Sequence, residues 1–268
     1  MEMIPQFDAI LLAGSRPEID PLAHAANVSL KSLVMVHGRP MLSWPLRHIL
    51  SHPQCRKLCI LAQDFRELLQ HPQLKPLLTH PKAQMCISND GISSSIADIL
   101  NGSQLSSPIL ILTGDNVLIN DMILDEFLQS AKGNDLAVGM VEKRTMMAKY
   151  PDAKRTWIKL RGGAWSGANL FWIEKPAAMQ PLLSFWQDVE QKRKKGLAII
   201  AAFGPFLMIG AAARFWTMGQ AIAKAGRRFG LRAALAPINI AEACIDVDKP
   251  ADLIQVEAIM ASDRQYGP

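Results

Sequence analysis

The sequence predicts an α/β fold: a doubly wound, mostly parallel mixed sheet with a helical, basic C-terminal insertion. Two observations carry this. Over the first 140 residues, short apolar runs of strand length alternate with stretches of helical character, the pattern of parallel strands joined by crossover helices. After residue 145 the pattern changes to short strand-like pieces followed by long basic helical stretches, before apolar runs return near the C-terminus.

Phe7–Ala13 (FDAILLA) is an apolar run ending at Gly14, as expected of a buried parallel strand. A polar, Pro-containing loop leads to a second apolar segment, Ser32–Val36. His37-Gly38-Arg39-Pro40 reads as a turn, with Pro40 suited to the first turn of a helix over Met41–Ser51. Lys57–Ala62 is the next strand, Asp64 is placed to cap the helix after it, and residues 70–82, rich in His and Pro, read as a loop. Asp90-Gly91 opens a helical segment, ISSSIADIL. Pro108–Leu112 is a strand ending in Thr113-Gly114-Asp115, Asn120 or Asp121 caps a helix over 122–132, and Leu136–Val141 is a further strand. Pieces at 156–161 and 168–173 are strand-like. Leu231–Pro237 and Ala243–Val247 read as strands returning to the sheet, and Lys249–Ala261 as a final helix. With no internal repeat and no low-complexity linker, residues 1–268 are expected to form a single domain.

Charge is unevenly spread. Residues 142–232 hold 17 of the 29 Lys and Arg but only 5 of the 24 Asp and Glu, which points to an anionic partner (phosphates, an anionic membrane surface or nucleic acid) or else to a solvated basic face. The four cysteines form no CxxC pair, and Cys59 and Cys86 sit in apolar runs, so reduced, buried thiols are expected. His48 and His52 share a helix spacing, but HILSH lacks the glutamate of a zinc-protease motif and Pro53 follows at once, so zinc is not expected. The start of the chain carries no basic leader, and a cytoplasmic protein is expected. Gly196–Ala213 is uncharged and broken by Gly204-Pro205. It reads as two buried helices meeting at that break, with a lipid-facing or membrane-surface element, or a true membrane span, as the alternatives.

Four features carry chemistry. The loop after the first strand, LAGSRPEID, lies at the carboxyl end of a parallel strand, where ligands bind in open α/β sheets. Backbone N–H groups there can cradle phosphate oxygens, and Arg16 adds a guanidinium fork. Lys31 precedes an apolar segment and can present a point charge to a phosphate. Asp115 ends an apolar strand, a suitable place for an oxygen ligand to Mg²⁺. In IDVDKPADL (245–253), Asp246 and Asp248 alternate, so in a strand both face one way.

Together, LAGSR (12–16), Lys31, GRPML (38–42), GISSS (91–95), TGD (113–115) and IDVDKPADL (245–253), in that order, resemble the MobA-like NTP transferases of the nucleotidyltransferase superfamily, which have a GT-A-like fold. The resemblance implies transfer of an NMP unit from an NTP to a phosphorylated acceptor, with Mg²⁺ as cofactor and release of pyrophosphate. It implies a nucleotide-binding half over 1–140, an acceptor-binding part with the helical insertion over 141–242, and a metal-site strand with the final helix over 243–268. By resemblance, Leu12, Ala13, Gly14, Ser15 and Arg16 hold the triphosphate, and Lys31 and Arg16 are catalytic. Gly91 and Ser95 lie near the nucleotide, and Asp115, Asp246 and Asp248 bind the metal. Asn169 matches the family's acceptor-side strand, and Arg155, Lys159 and Arg161 are candidates for an acceptor phosphate. The acceptor is expected to be a small molecule or lipid-linked, the latter with peripheral membrane contact through 197–228; no nucleic-acid motif is present and no nucleic acid is expected. Two departures from the pattern are a glycine loop thinned to one glycine, with Pro17 in it, and unrecognisable base-reading positions. The competing readings are a GT-A glycosyltransferase using a nucleotide sugar, from which the second acid of an Asp-x-Asp is missing, and a non-catalytic nucleotide-binding protein of the same fold.

Overall fold

Strand-forming apolar runs do lie side by side as the alternation requires. A computed structural model of the chain describes residues 4–14, 20–88, 91–102, 104–191 and 215–263. Seven strands run across one sheet. In chain order they are β1 (Phe7–Leu12), β4 (Cys55–Ala62), β5 (Ala83–Ile87), β6 (Ile109–Thr113), β7 (Leu136–Glu142), β9 (Gly163–Ile173) and β10 (Ala233–Ile238). Their spatial order is β10-β7-β9-β6-β1-β4-β5, and β8 (Ile158–Leu160) pairs β9 at one end. A separate two-residue hairpin joins β2 (Met35–Val36) to β3 (Arg39–Pro40). β1 is parallel to both β4 and β6, β4 to β5, and β7 to β10, whereas β9 runs antiparallel between β6 and β7. The sheet is therefore mixed but mostly parallel.

Alternation along the central strands fills both faces. Ala9 and Leu11 of β1, with Leu110 and Leu112 of β6, point to one side. There they meet helices α2 (Ser43–Ser51) and α6 (Asp121–Ala131) through Leu46, Ile49, Phe127 and Leu128. Ile10, Ile109 and Ile111 point to the other side. They pack against α5 (Ile92–Asn101) through Ile96 and Ile99, and against α8 (Gln180–Gln191) through Leu183. Each such Leu, Ile or Phe side chain, buried from water, contributes roughly 1.5–3 kcal/mol. The remaining described helices are α1 (Pro21–Ala25), α3 (Arg66–Gln70), α4 (Lys75–Leu78), α7 (Lys143–Lys149), α9 (Met218–Arg228) and α10 (Pro250–Ser262). Asn120 caps α6 by accepting from Ile123 N–H at 3.0 Å.

Several local expectations need correction. The apolar segment Ser32–Val36 takes the form of a 3₁₀ turn, Lys31–Leu33, followed by β2. Pro40 ends β3 instead of opening α2, because its neighbour Arg39 pairs back onto Val36. Residues 70–82 contain α4. Ala243–Val247 does not return to the sheet. A 3₁₀ turn occupies Ala241–Cys244, and Val247 N–H donates to the Asp115 carbonyl at 3.1 Å instead of to a strand. Cys59 and Cys86 are joined as a disulfide between the neighbouring strands β4 and β5, not held as two free thiols. Cys55 and Cys244 are free and buried, and burial pushes both thiols up to about 11. The apolar stretch 196–213, like Ser15 and Arg16, lies outside the described residues. No helix among those described is long and apolar enough to cross a membrane.

At the edge of the sheet away from the parallel strands' carboxyl ends, Asp135 holds three elements together. It accepts from Arg232 N–H at 2.8 Å, at the entry to β10, and pairs with Lys175 at 3.2 Å and Arg232 at 3.4 Å. The Arg232 backbone bond, with help from these two cations, outweighs burial and pulls the carboxyl down to about 2. A depressed carboxylate stabilises the fold above its unfolded value and ceases to do so as pH falls through the folded value. Both cations are mostly exposed, so screening trims the effect. Asp135→Asn is expected to lower stability by about 1–2 kcal/mol at pH 7, with the difference from the parent shrinking between pH 4 and pH 2. Urea melts across that range measure it, and a pH-independent difference removes the charge from the explanation.

Candidate active site

The carboxyl ends of β1 and β6 are drawn together by close backbone contact. Gly114 N–H donates to the Leu12 carbonyl at 2.8 Å, and Ala13 N–H to Leu61 at 2.9 Å. A Cβ at Gly114 would stand 3.1 Å from Leu42 Cδ1 and 3.2 Å from the Leu12 carbonyl oxygen, so a glycine lets the two strand ends meet. Directly after it, Asp115 projects from the end of β6. The 3₁₀ turn bearing Lys31 is tied to the same edge, since Ser32 Oγ donates to the Ala13 carbonyl at 3.2 Å and Leu42 N–H to the Ser32 carbonyl at 3.2 Å.

These ties bring Lys31 Nζ to 2.7 Å from Asp115 Oδ2 and 2.5 Å from Asp248 Oδ1. Burial opposes the ammonium. The charge of Asp115 and the hydrogen bonds the ammonium donates to Asp115 and Asp248 outweigh it and hold Lys31 above the usual 10.5. Asp115 Oδ1 is buried and accepts no hydrogen bond among the described residues, an oxygen left open to a ligand.

Asp248 and Asp246 reach the site without a strand. The buried Asp252 at the start of α10 accepts from both Asp248 N–H and Lys249 N–H at 3.1 Å, turning the chain so that the preceding acids face the sheet edge. Asp246 binds Arg155 and accepts from Asn169 Nδ2 at 3.0 Å. Burial raises the Asp246 carboxyl above the ordinary range even though Arg155 pulls it down, and the charges of Asp115 and Asp248 push the same way as burial. The three acids thus sense one another across one site.

Asn169 owes its aim to a bulge. The pairing of β7 with β9 slips between Val138 and Met140, where three residues of β9 face Gly139 alone. Asn169 sits in the bulge at φ 53°, the left-handed region that asparagine tolerates better than most residues. A Cβ at Gly139 would meet Leu170 and Phe127 at 3.1 Å, so the bulge also relies on an absent side chain opposite it.

Not every expected residue joins this cluster. Gly91, at φ 144°, caps α5, and its carbonyl accepts from Ser95 Oγ at 2.7 Å; Ser95 Oγ also meets Ser88 Oγ at 2.9 Å. Both therefore shape the end of β5 beside α5. Lys159 is exposed on β8. Arg161 lies at the tip of the β8–β9 hairpin, about 20 Å of strand away from Asn169, with its Nη2 3.1 Å from Gln220 Oε1. Of Arg155, Lys159 and Arg161, it is Arg155 that faces the acids. Sequence reasoning missed its engagement with Asp246. It also missed Glu242, which is buried and binds Lys149 and Tyr150; an acid inside the apolar run AEAC was the available signal. His48 and His52 both turn toward α6. Each faces a carboxylate of α6, Asp121 and Asp125 respectively, at 3.3 Å.

Among the described residues no three metal-binding side chains stand as a ready-made cage. Lys31 and Arg155 occupy the carboxylates that a divalent cation would need. The donor set nonetheless suits a hard cation: oxygen ligands only, one of them without a partner among the described residues.

No curated protein matches the chain. Among solved structures, a hypothetical transferase from Thermus thermophilus is 25% identical and superposes with a TM-score of 0.76, over 94% of this chain and 100% of that one. The 4-diphosphocytidyl-2C-methyl-D-erythritol synthase of Anaerococcus prevotii DSM 20548 superposes with a TM-score of 0.58 over 96% of both chains at 10% identity, a likeness of fold alone. The sequence model of the MobA-like NTP transferase domain matches residues 10–216. With most of its length matched by that model and its acids gathered at the sheet edge, the chain belongs to the MobA-like NTP transferase family.

Proposed function

We propose that the protein transfers an NMP unit from an NTP to a phosphorylated acceptor, with Mg²⁺ and release of pyrophosphate. The observation that carries this reading is the meeting of Lys31 with Asp115 and Asp248, while Asp246 stands alongside. Such a transfer depends on positioning and on neutralising charge at phosphorus. Lys31 is the group that neutralises. A triphosphate entering over the loop at Leu12–Arg16 competes with Asp115 and Asp248 for the ammonium and draws it toward the α-phosphate. Asp115, Asp246 and Asp248 are then the residues to hold Mg²⁺, whose contribution when bound is to neutralise charge on the phosphates. Arg155, released from Asp246, and Asn169 face the acceptor. A phosphomonoester dianion is nucleophilic near neutral pH, so no general base is needed. Gly91 and Ser95 lie on the nucleobase side. In this reading the acceptor is soluble or lipid-linked and the enzyme cytoplasmic. Of the 197–228 region proposed to touch a bilayer, the described part presents Phe215, 63% exposed.

Glycosyl transfer is the weaker alternative for a specific reason. Where an Asp-x-Asp would carry its second acid, Val117 is fully buried, and Asn116 is spent on the Ala168 carbonyl at 3.0 Å. Non-catalytic nucleotide binding predicts an NTP-dependent rise in melting temperature with no turnover.

A thermal-shift screen of ATP, GTP, CTP and UTP with and without Mg²⁺ is expected to single out one or two bases, since a ligand of the native state alone raises the melting temperature. Pyrophosphate release with that NTP, and none from nucleotide sugars, is the expected activity. Lys31→Ala is expected to lower turnover by roughly 10²–10³, the scale of one preorganised electrostatic donor; near-normal turnover takes Lys31 out of the mechanism. Asp115→Asn is expected to abolish the Mg²⁺-dependent part of the NTP shift, and an unchanged shift removes Asp115 from the metal site.

A further inference from the structure

A second cationic centre lies away from the acids. Arg161, at the tip of the β8–β9 hairpin, is fixed from two directions. Its N–H donates to the Trp216 carbonyl at 3.0 Å and its guanidinium to Gln220 Oε1 at 3.1 Å. Gln220 also accepts from Thr217 N–H at 3.1 Å, closing the capping box of α9. One glutamine oxygen therefore both starts the helix and orients the arginine. Along the same face of α9, Lys224 Nζ stands 4.9 Å over the Trp216 ring, and Arg227 follows one turn later. With Phe215 these groups line a cleft of about 520 Å³ that contains no acidic side chain among the described residues.

We propose that this cleft is a binding site for a phosphate group carried on an apolar or aromatic body. Three cations gathered in a cleft whose described lining has no acid suit a dianion, with the planar fork of Arg161 giving direction and Lys224 and Arg227 giving charge. The rings of Trp216 and Phe215 supply an apolar wall beside it. The match to the family ends at residue 216, so α9, which brings two of the three cations, lies beyond it. The site does not depend on nucleotidyl transfer: it takes its ligand without NTP or metal.

Phenyl phosphate is the probe, titrated into the full-length protein in EDTA without nucleotide, with binding followed by calorimetry and by tryptophan fluorescence. Saturable binding is expected. Arg161→Gln combined with Lys224→Gln is expected to weaken it by tenfold or more, roughly the loss of two charge-assisted contacts, whereas Lys31→Ala keeps it and Trp216→Phe removes the fluorescence response. Lys224 is exposed on the helix, so Lys224→Gln alone is the variant to use if the double one fails to fold; it is expected to weaken binding by about threefold or more. No saturable binding, an affinity unchanged in these variants, or a loss confined to Lys31→Ala overturns the proposal. Sedimentation with phosphatidic acid vesicles, against phosphatidylcholine alone, identifies the source: capture lost in the same variants places the phosphate on a lipid, and binding of phenyl phosphate without vesicle capture places it on a soluble molecule. Either pattern supports the site, and nucleotidyl transfer assays stand or fall separately.

Discussion

The mutual repulsion of three carboxylates is the constraint around which this molecule is arranged. Asp115, Asp246 and Asp248 come from the end of β6 and from the turn before α10, and they share one edge of the sheet. Left alone, like charges crowded at a partly buried edge repel one another at a cost. Lys31 answers two of them and Arg155 the third. Because Lys31 is 84 residues from Asp115 and 217 from Asp248, these pairs also fix the N-terminal loops and the C-terminal turn against the sheet. The energy of such pairs is modest, since part of the attraction offsets desolvation. Their larger effect is to define which surfaces meet.

Much of this was legible in the chain. The strands β1, β4, β6 and β7 announce themselves as apolar runs, and Asp115 stands out as an acid ending one of them. Lys31 and the 246–248 acids emerge from motif order. What stayed hidden was anything fixed by long-range contact. Ala243–Val247 has the composition of a strand, but its backbone bonds to the loop at Asp115, and no local pattern encodes that choice. The bulge at Asn169 depends on Gly139, far earlier in the chain. Arg155 and Arg161 look alike in sequence, yet one faces Asp246 and the other Gln220, because a hairpin carries them to opposite ends. The disulfide between Cys59 and Cys86 follows from β4 lying beside β5, a pairing that spacing alone does not reveal.

The antiparallel β9 gives the mixed sheet its functional geometry. By running against β6 and β7 it delivers its own N-terminal half to the edge where the parallel strands end. Asn169 and the hairpin to Arg161 both belong to that one strand. A wholly parallel sheet would present only loops there. Here a continuous ladder connects the acids to the tip beside α9, giving the site one wall of regular hydrogen-bonded structure.

Asp135 is answered by two cations and a backbone N–H, whereas one oxygen of Asp115 is answered by nothing among the described residues. The molecule thus keeps its contented electrostatics on one rim and its frustrated electrostatics on the other. Selection for ruggedness can tighten the first rim without touching the second. A variant that relieved the frustration would gain melting temperature by spoiling the very discomfort that makes a hard cation welcome.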